Sequence, residues 1–369
     1  MTRLDSLYLE HGQSAWVDNI RRDWIEDGTL QALVDRGVRG VTSNPSIFAK
    51  ALSTTAAYDS LIGELNIADA EEAFEALAIS DVRDASVILR KVYDASAREF
   101  AAGTRPSTDG YVSLEVSPRL AHDTEGTVAA AVRLAHELHS SPNVMIKIPA
   151  TPAGLPAITE VLSRGINVNV TLIFSLTRYR EVLEAYVAGI SRAVESGHDV
   201  SAIASVASFF ISRVDSAVDP LLAPDSPLRG LVANSQAATA YEIFLEHSQS
   251  EQMRALRSQG AQLQRPLWAS TSTKNPAYDD LLYVDSLIAP DTVNTMPDPT
   301  LEIYAARGDA SKSQLSSDSR RAGLRQVLES LADAGINLSD VTQRLEDEGV
   351  AAFMASYDEV LATVRSKLL

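Results

Sequence analysis

Eight short apolar runs recur along the chain, and a helical segment separates most of them from the next. Strands joined through helices lie parallel, and a parallel sheet has to be covered on both faces. The first run lies within residues 12–19 (SAWVDN), and the second follows Gly37 to Gly40 and ends at 42–45. The others are 111–116 (YVSLEV), 144–151 (VMIKIPAT), 166–174 (INVNVTLIF), 205–210, 266–270 and 292–295. Helical spacing of apolar residues marks 21–36, 46–65, 69–102, 124–140, 154–163, 176–196, 212–222 and 235–260. Eight strands alternating with helices predict an α/β fold of the (β/α)8 barrel type. An open doubly wound sheet also alternates, but it usually carries a Gly-rich turn after its first strand, and none is present.

Beyond Pro299 the pattern becomes wholly helical. Residues 308–318 are polar and Ser-rich, as in a linker or exposed loop, and amphipathic helices are expected over 320–334 and 338–367. We read 1–369 as one barrel domain, with 308–369 as a helical cap packed on it. A length of 369 residues suits a large barrel with a terminal extension. The net charge of −17 argues against nucleic acid and anionic membranes as partners. Without cysteine, neither disulfides nor thiolate chemistry is available. The first residues, MTRLDSLYLEHGQS, lack the apolar core of a signal peptide, and no stretch has the length of a membrane span, so a cytoplasmic location is expected.

One of the apolar runs contains a lysine. Pleating of 144–149 points Val144, Ile146 and Ile148 one way, and Met145, Lys147 and Pro149 the other. A buried ammonium is costly unless it is paired or readily loses its proton, and a neutral amine is a nucleophile for carbonyl groups. Taken alone, a strand lysine is more often a snorkelling edge residue. The other strands also turn polar near their carboxyl ends, however, at Asp18, Thr42 and Asn44, Glu115, Asn169 and Thr171, Ser208, and Ser270. In the fifth run Ile166, Val168, Val170 and Leu172 are expected on one face, and Asn167, Asn169 and Thr171 on the other. Each residue has an ordinary explanation as a cap, turn or surface pair. Seven polar strand ends in succession point instead to one site at the carboxyl end of a barrel. His136 and His139 are three apart, where a zinc helix needs four, and no Gly-rich phosphate loop or Gly-x-Ser-x-Gly elbow occurs. With no metal-ligand cluster in the sequence, the amine of Lys147 is the expected means of carbonyl activation.

These residues and their flanks resemble the transaldolases over nearly the whole chain. The segments that carry the resemblance are GVTSNPSIF at 40–48, VSLEVSP at 112–118, MIKIPAT at 145–151, INVNVTLIFS at 166–175, ASFFISRVD at 207–215 and LWASTSTKNPAY at 267–278. The length and the helical C-terminal part are similar to the longer bacterial subgroup. The resemblance implies a class I aldolase barrel that transfers dihydroxyacetone between sugar phosphates, without metal or cofactor. It implies Lys147 as the Schiff-base lysine, Asp18 as the carboxylate that takes the proton of the C4 hydroxyl, and Glu115 as the one that works through a water on the carbinolamine. Asn44 and Asn169 would bind donor hydroxyls, Thr171 would position the water, Thr42, Ser208 and Phe210 would line the donor site, and Arg213 would bind phosphate. Most transaldolases have a second arginine after the seventh strand. Here Ser270 and Lys274 are the expected stand-ins. The implied partners are sugar phosphates alone, with no nucleic acid and no membrane, and the implied assembly is a monomer or homodimer. Fructose-6-phosphate aldolases share the lysine but are shorter and replace the carboxylate proton carrier by tyrosine. A non-catalytic sugar-phosphate-binding barrel would not need both carboxylates beside the lysine.

Overall fold

The computed structural model describes residues 2–368, so Met1 and Leu369 of the expected 1–369 unit lie outside it. Seven strands form one parallel sheet: β1 (Gln13–Val17), β2 (Val112–Glu115), β3 (Val144–Pro149), β4 (Val168–Ile173), β5 (Ser205–Phe210), β6 (Arg265–Ala269) and β7 (Thr292–Met296). Their order is β1-β7-β6-β5-β4-β3-β2, so consecutive strands are neighbours and the two ends of the chain of strands meet through β1 and β7. The remaining gap, between β1 and β2, is filled by the expected second strand in reduced form. Only Val41 is bridged, to Val17 on one side and Val112 on the other. Backbone bonds nonetheless run through it, from Val17 N to Gly40 O (2.9 Å) and from Val41 N to Tyr111 O (2.9 Å). The segment is held close to its neighbour. The Trp16 ring lies where a side chain at residue 40 would begin, 2.3 Å from an ideal Cβ, so only glycine fits at Gly40. The result is an α/β barrel closed by a one-residue strand.

Three helices expected as continuous are broken. Residues 21–36 divide into Arg22–Glu26 and Thr29–Asp35 at Gly28, whose φ of 84° lies in the left-handed region. The stretch 46–65 gives Pro45–Thr54 and Ala57–Glu64, and 235–260 gives Val232–Ser248 and Glu251–Ser258, the last capped by Ser250. A short helix, Arg3–Leu9, starts with a Thr2 and Asp5 capping box that periodicity alone did not reveal. Among the described residues no helix is long and apolar enough to cross a membrane.

Strand register sets the site. Glu115 pairs with Lys147, and Lys147 with Asn169, so one row of side chains crosses β2, β3 and β4. After Val170 the β4–β5 register slips in a bulge, and Leu172 takes φ 59°. The expected alternation therefore fails at Leu172, which turns away from the face of Val168 and Val170. Its side chain lies 3.1 Å from an ideal Cβ at Gly349 in the terminal helix, Leu338–Leu368.

That helix crosses the carboxyl end of the barrel. Ser356 Oγ meets Ser46 Oγ at 2.7 Å, Tyr357 Oη donates to Glu71 at 2.9 Å, and Glu346 pairs with Arg178 at 3.2 Å. The preceding helix, Asp318–Asp333, goes elsewhere, to the flank of Val232–Ser248, where Arg321 pairs with Glu242 at 3.4 Å. Residues 308–318 are not an exposed loop. Leu315 is buried, Gln314 N donates to Ser286 O (2.8 Å), and Ser313 Oγ donates to Ile288 O (2.5 Å). One buried leucine and two such bonds tie the segment to the barrel despite its polar composition.

Candidate active site

A cavity of about 190 Å³ opens at the carboxyl end of the strands. The strands end in polar side chains there because each chain reverses into a helix whose first turn needs capping, and because the barrel interior widens beyond its packed layers. Asn44 illustrates the first cause: its Oδ1 accepts from Ile47 N (3.1 Å) and caps Pro45–Thr54, and Pro45 sits at the first helical position. Lys147 is almost wholly enclosed, with 4% exposure. Its Nζ donates to the Ser43 carbonyl at 3.0 Å and lies 3.3 Å from Glu115 Oε2. The contact with Glu115 misses hydrogen-bond geometry, and Oε2 has no hydrogen-bond partner among the described residues.

Asp18, one residue past β1, accepts a 2.6 Å bond from Thr42 Oγ1, which also meets Thr295 Oγ1 at 2.6 Å. Burial pushes the Asp18 carboxyl above the usual range, against the opposing pull of the Lys147 charge and the Thr42 bond. Burial likewise pushes Glu115 up to about 7, again opposed by Lys147. One ammonium thus sits near two carboxyl groups that favour their protonated forms more than free ones do.

In the same cavity wall Arg213 lies 5.6 Å from the Phe210 ring centroid, and Phe210 packs on Phe174. Burial lowers the pKa of Arg213, with Glu348 opposing it, and burial and then the Arg213 charge lower that of Lys274. Lys274 Nζ donates to Ser272 Oγ at 2.6 Å. Ser270 ends β6 at φ 55°, with its Oγ 3.0 Å from Ser212 Oγ. A non-glycine residue held in the left-handed region carries strain of the kind that clusters at functional sites. Lys147, Arg213 and Lys274 against Asp18 and Glu115 leave a local excess of positive charge on a chain of net −17.

Of the twelve residues singled out in the sequence, the cavity wall contains Lys147, Asp18, Asn44, Thr42, Thr171, Ser208, Phe210, Arg213, Ser270 and Lys274. Glu115 stands behind Lys147 and lines a different cavity. Asn169 lies beneath the floor, its Nδ2 donating to Ser113 Oγ (2.9 Å) and its Oδ1 accepting from Ser208 Oγ (2.7 Å). Thr171 Oγ1 is buried without a partner. Ser46, Ser272, Thr295, Pro297 and Phe353 join the wall unannounced. Thr295 was within reach of the strand-end rule, since it lies near the carboxyl end of the eighth strand. Phe353 was not: it is one apolar residue of an amphipathic helix, and its ring centroid sits 5.7 Å from Lys147 Nζ. His136 and His139 lie exposed at the end of a helix and line no part of this cavity, and among the described residues no group of three or more His, Asp or Glu could hold a metal.

An amine between two carboxyl groups, with a cationic end, can form and protonate an imine on a carbonyl compound that carries an anion. Comparison with known proteins gives the family. Residues 15–364 match the family described as Transaldolase/Fructose-6-phosphate aldolase. The chain is 48% identical to a transaldolase of Saccharopolyspora erythraea over 97% of this chain and 95% of that protein. It is 47% identical to transaldolase 1 of Streptomyces avermitilis over 97% and 94% of the two chains. With the transaldolase of Mycolicibacterium smegmatis the identity is 45% over 97% and 95%. Matched along nearly its full length by both kinds of comparison, the chain belongs to the transaldolase/fructose-6-phosphate aldolase family.

Proposed function

We propose that the protein is a transaldolase that moves a dihydroxyacetone unit from sedoheptulose 7-phosphate to glyceraldehyde 3-phosphate, giving erythrose 4-phosphate and fructose 6-phosphate. The observation that carries this reading is the enclosed ε-amine of Lys147, flanked by Glu115 and within the field of Asp18, in a cavity whose wall also holds Arg213 and Lys274. Lys147 attacks C2 of the donor ketose. Glu115, with a pKa of about 7, supplies the proton with which the carbinolamine loses water. The protonated imine is an electron sink, so Asp18 takes the C4 hydroxyl proton while the C3–C4 bond breaks and the aldose leaves. Its raised pKa makes Asp18 a stronger base for that step. The enamine left on Lys147 then adds to the acceptor aldehyde, and the same steps run in reverse.

In this reading Asn44 and Thr42 bind donor hydroxyls, Thr171 holds the water, Ser208 and Phe210 wall the donor, and Ser270 with Lys274 stands in for a second phosphate-binding arginine. Asn169 is best read as holding Ser208 in place, because its amide is already engaged by Ser113 and Ser208. Arg213 and Lys274 receive the phosphate, where a guanidinium gives two parallel bonds and an ammonium a point charge. We place the activity in the pentose phosphate pathway of the cytoplasm, with residues 1–369 working as one domain, 308–369 as its cap, and a monomer or homodimer as the working form.

Reduction with borohydride in the presence of fructose 6-phosphate tests the central step. A stable three-carbon adduct is expected on Lys147, and transfer to erythrose 4-phosphate is expected without release of free dihydroxyacetone. An adduct on another lysine, or none, overturns the mechanism.

A further inference from the structure

Behind the active site lies a second cavity of about 320 Å³, walled by Phe48, Phe74, Ala78, Leu114 and Leu134, with Tyr357 of the terminal helix at its edge. Glu115 lines this rear cavity and not the front one, while Lys147 lines the front and not the rear. The two side chains meet at 3.3 Å, so a residue of each cavity adjoins one of the other there. Asn44 borders both. At the surface the rear cavity ends among two ion pairs, Arg119 with Glu71 at 3.2 Å and Arg133 with Glu75, whose arginines are about half exposed at 48% and 51%. Two buried oxygens on residues along it, Glu115 Oε2 and Ser117 Oγ, have no hydrogen-bond partner among the described residues. A cavity of that size has room for water, and the two ion pairs at its surface end give that water polar partners.

We infer that the rear cavity is a solvent port, through which Glu115 exchanges protons and the water of imine formation leaves while the ketose fills the front cavity. This rests on the Schiff-base reading above. In the dehydration step the carbinolamine C2–O bond breaks, its oxygen takes the Glu115 proton and departs as water, and the nitrogen lone pair forms the C=N bond. Neutral carbinolamine and carboxylic acid become iminium, carboxylate and water. In the front cavity that water would be confined beneath the substrate and the Phe353 ring. On the Glu115 side it meets a second opening. Hydrolysis of the product imine draws its water from the same side, so the C2 oxygen of each new ketose comes from bulk solvent.

The test runs fructose 6-phosphate and erythrose 4-phosphate in 18O-water and reads label at C2 of the new ketose at early times, corrected for exchange without enzyme. The variants are Ala130→Phe at the half-buried rim and Ala78→Leu in the wall, neither of which touches the front cavity. The parent enzyme is expected to place bulk oxygen at C2 in nearly every turnover. Both variants should retain the donor's own oxygen in half of turnovers or more, and should form the borohydride-trapped adduct more slowly but to the same final yield. Full labelling in either variant, folded with an unchanged melting temperature, overturns the port. Loss of the Lys147 adduct in the parent enzyme overturns the Schiff-base reading instead, so the two failures are distinct.

Discussion

Replacing Glu115 by glutamine removes a titrating carboxyl from beside Lys147 while keeping its shape. The effect on stability follows from proton linkage. Glu115 has a folded-state pKa of about 7 against an ordinary value of 4.5, so between those values the folded chain binds more protons than the unfolded one. Its contribution to stability therefore falls as pH rises through this window and is most unfavourable above it. The full difference is about 3 kcal/mol at roughly 1.4 kcal/mol per pKa unit, most of which falls between about pH 5 and about pH 8. The side chain is 6% exposed, so screening by solvent removes little of this. Urea unfolding at those two pH values, on the parent chain and on Glu115→Gln, isolates the term because Asp18 and the other raised carboxyls are common to both. The parent should lose about 2–3 kcal/mol more than the variant on going from the acid to the alkaline side. Parallel stability curves for the two proteins would refute the argument that burial, opposed by the Lys147 charge, sets the protonation of Glu115.

Asp18→Asn keeps the bond partner of Thr42 but not the base, so the Lys147 adduct should still form while turnover falls about 10²- to 10⁴-fold. Arg213→Ala should raise KM for phosphorylated donors by roughly 10- to 150-fold, the equivalent of about 1.5–3 kcal/mol, and leave fructose nearly unaffected; equal losses for both sugars would remove Arg213 from phosphate binding. Phe353→Ala opens the site above Lys147 and empties a packed position, so stability should drop by about 3–5 kcal/mol in chemical denaturation. The same variant should release free dihydroxyacetone during turnover, with Phe353→Leu restoring most of the transfer; a product ratio like that of the parent would show that the ring does not shield the enamine.

Much of this protein is written locally. Period-two and helical patterning, with the turn residues that bound them, determines the alternation of strands and helices and therefore a parallel barrel, because short apolar strands linked by helices have few other ways to be covered. The polar residue near each strand's carboxyl end is just as local, and it marked seven residues of the cavity wall before any contact was known, while Phe210, Arg213 and Lys274 came from the family resemblance. Helix breaks at Gly28 and before Ser250, the slip that turns Leu172, and the reduction of the second strand to Val41 were not legible, since each depends on what packs opposite: Trp16 on Gly40, or Gly349 over Leu172.

Tertiary structure alone decided which side of Lys147 each carboxyl occupies. The strand-end rule gives Glu115 and Asp18 the same standing, yet the barrel's closure puts Asp18 with Thr42 and Thr295 on the front cavity and Glu115 on the rear one. It also brought Phe353, more than 200 positions from Lys147 in the chain, to within 5.7 Å of its amine. Patterning fixes which way a side chain faces within its own element. Burial, and with it the raised pKa of Glu115 and Asp18, belongs to the sum of all the elements around them, and that sum exists only once the chain has closed on itself.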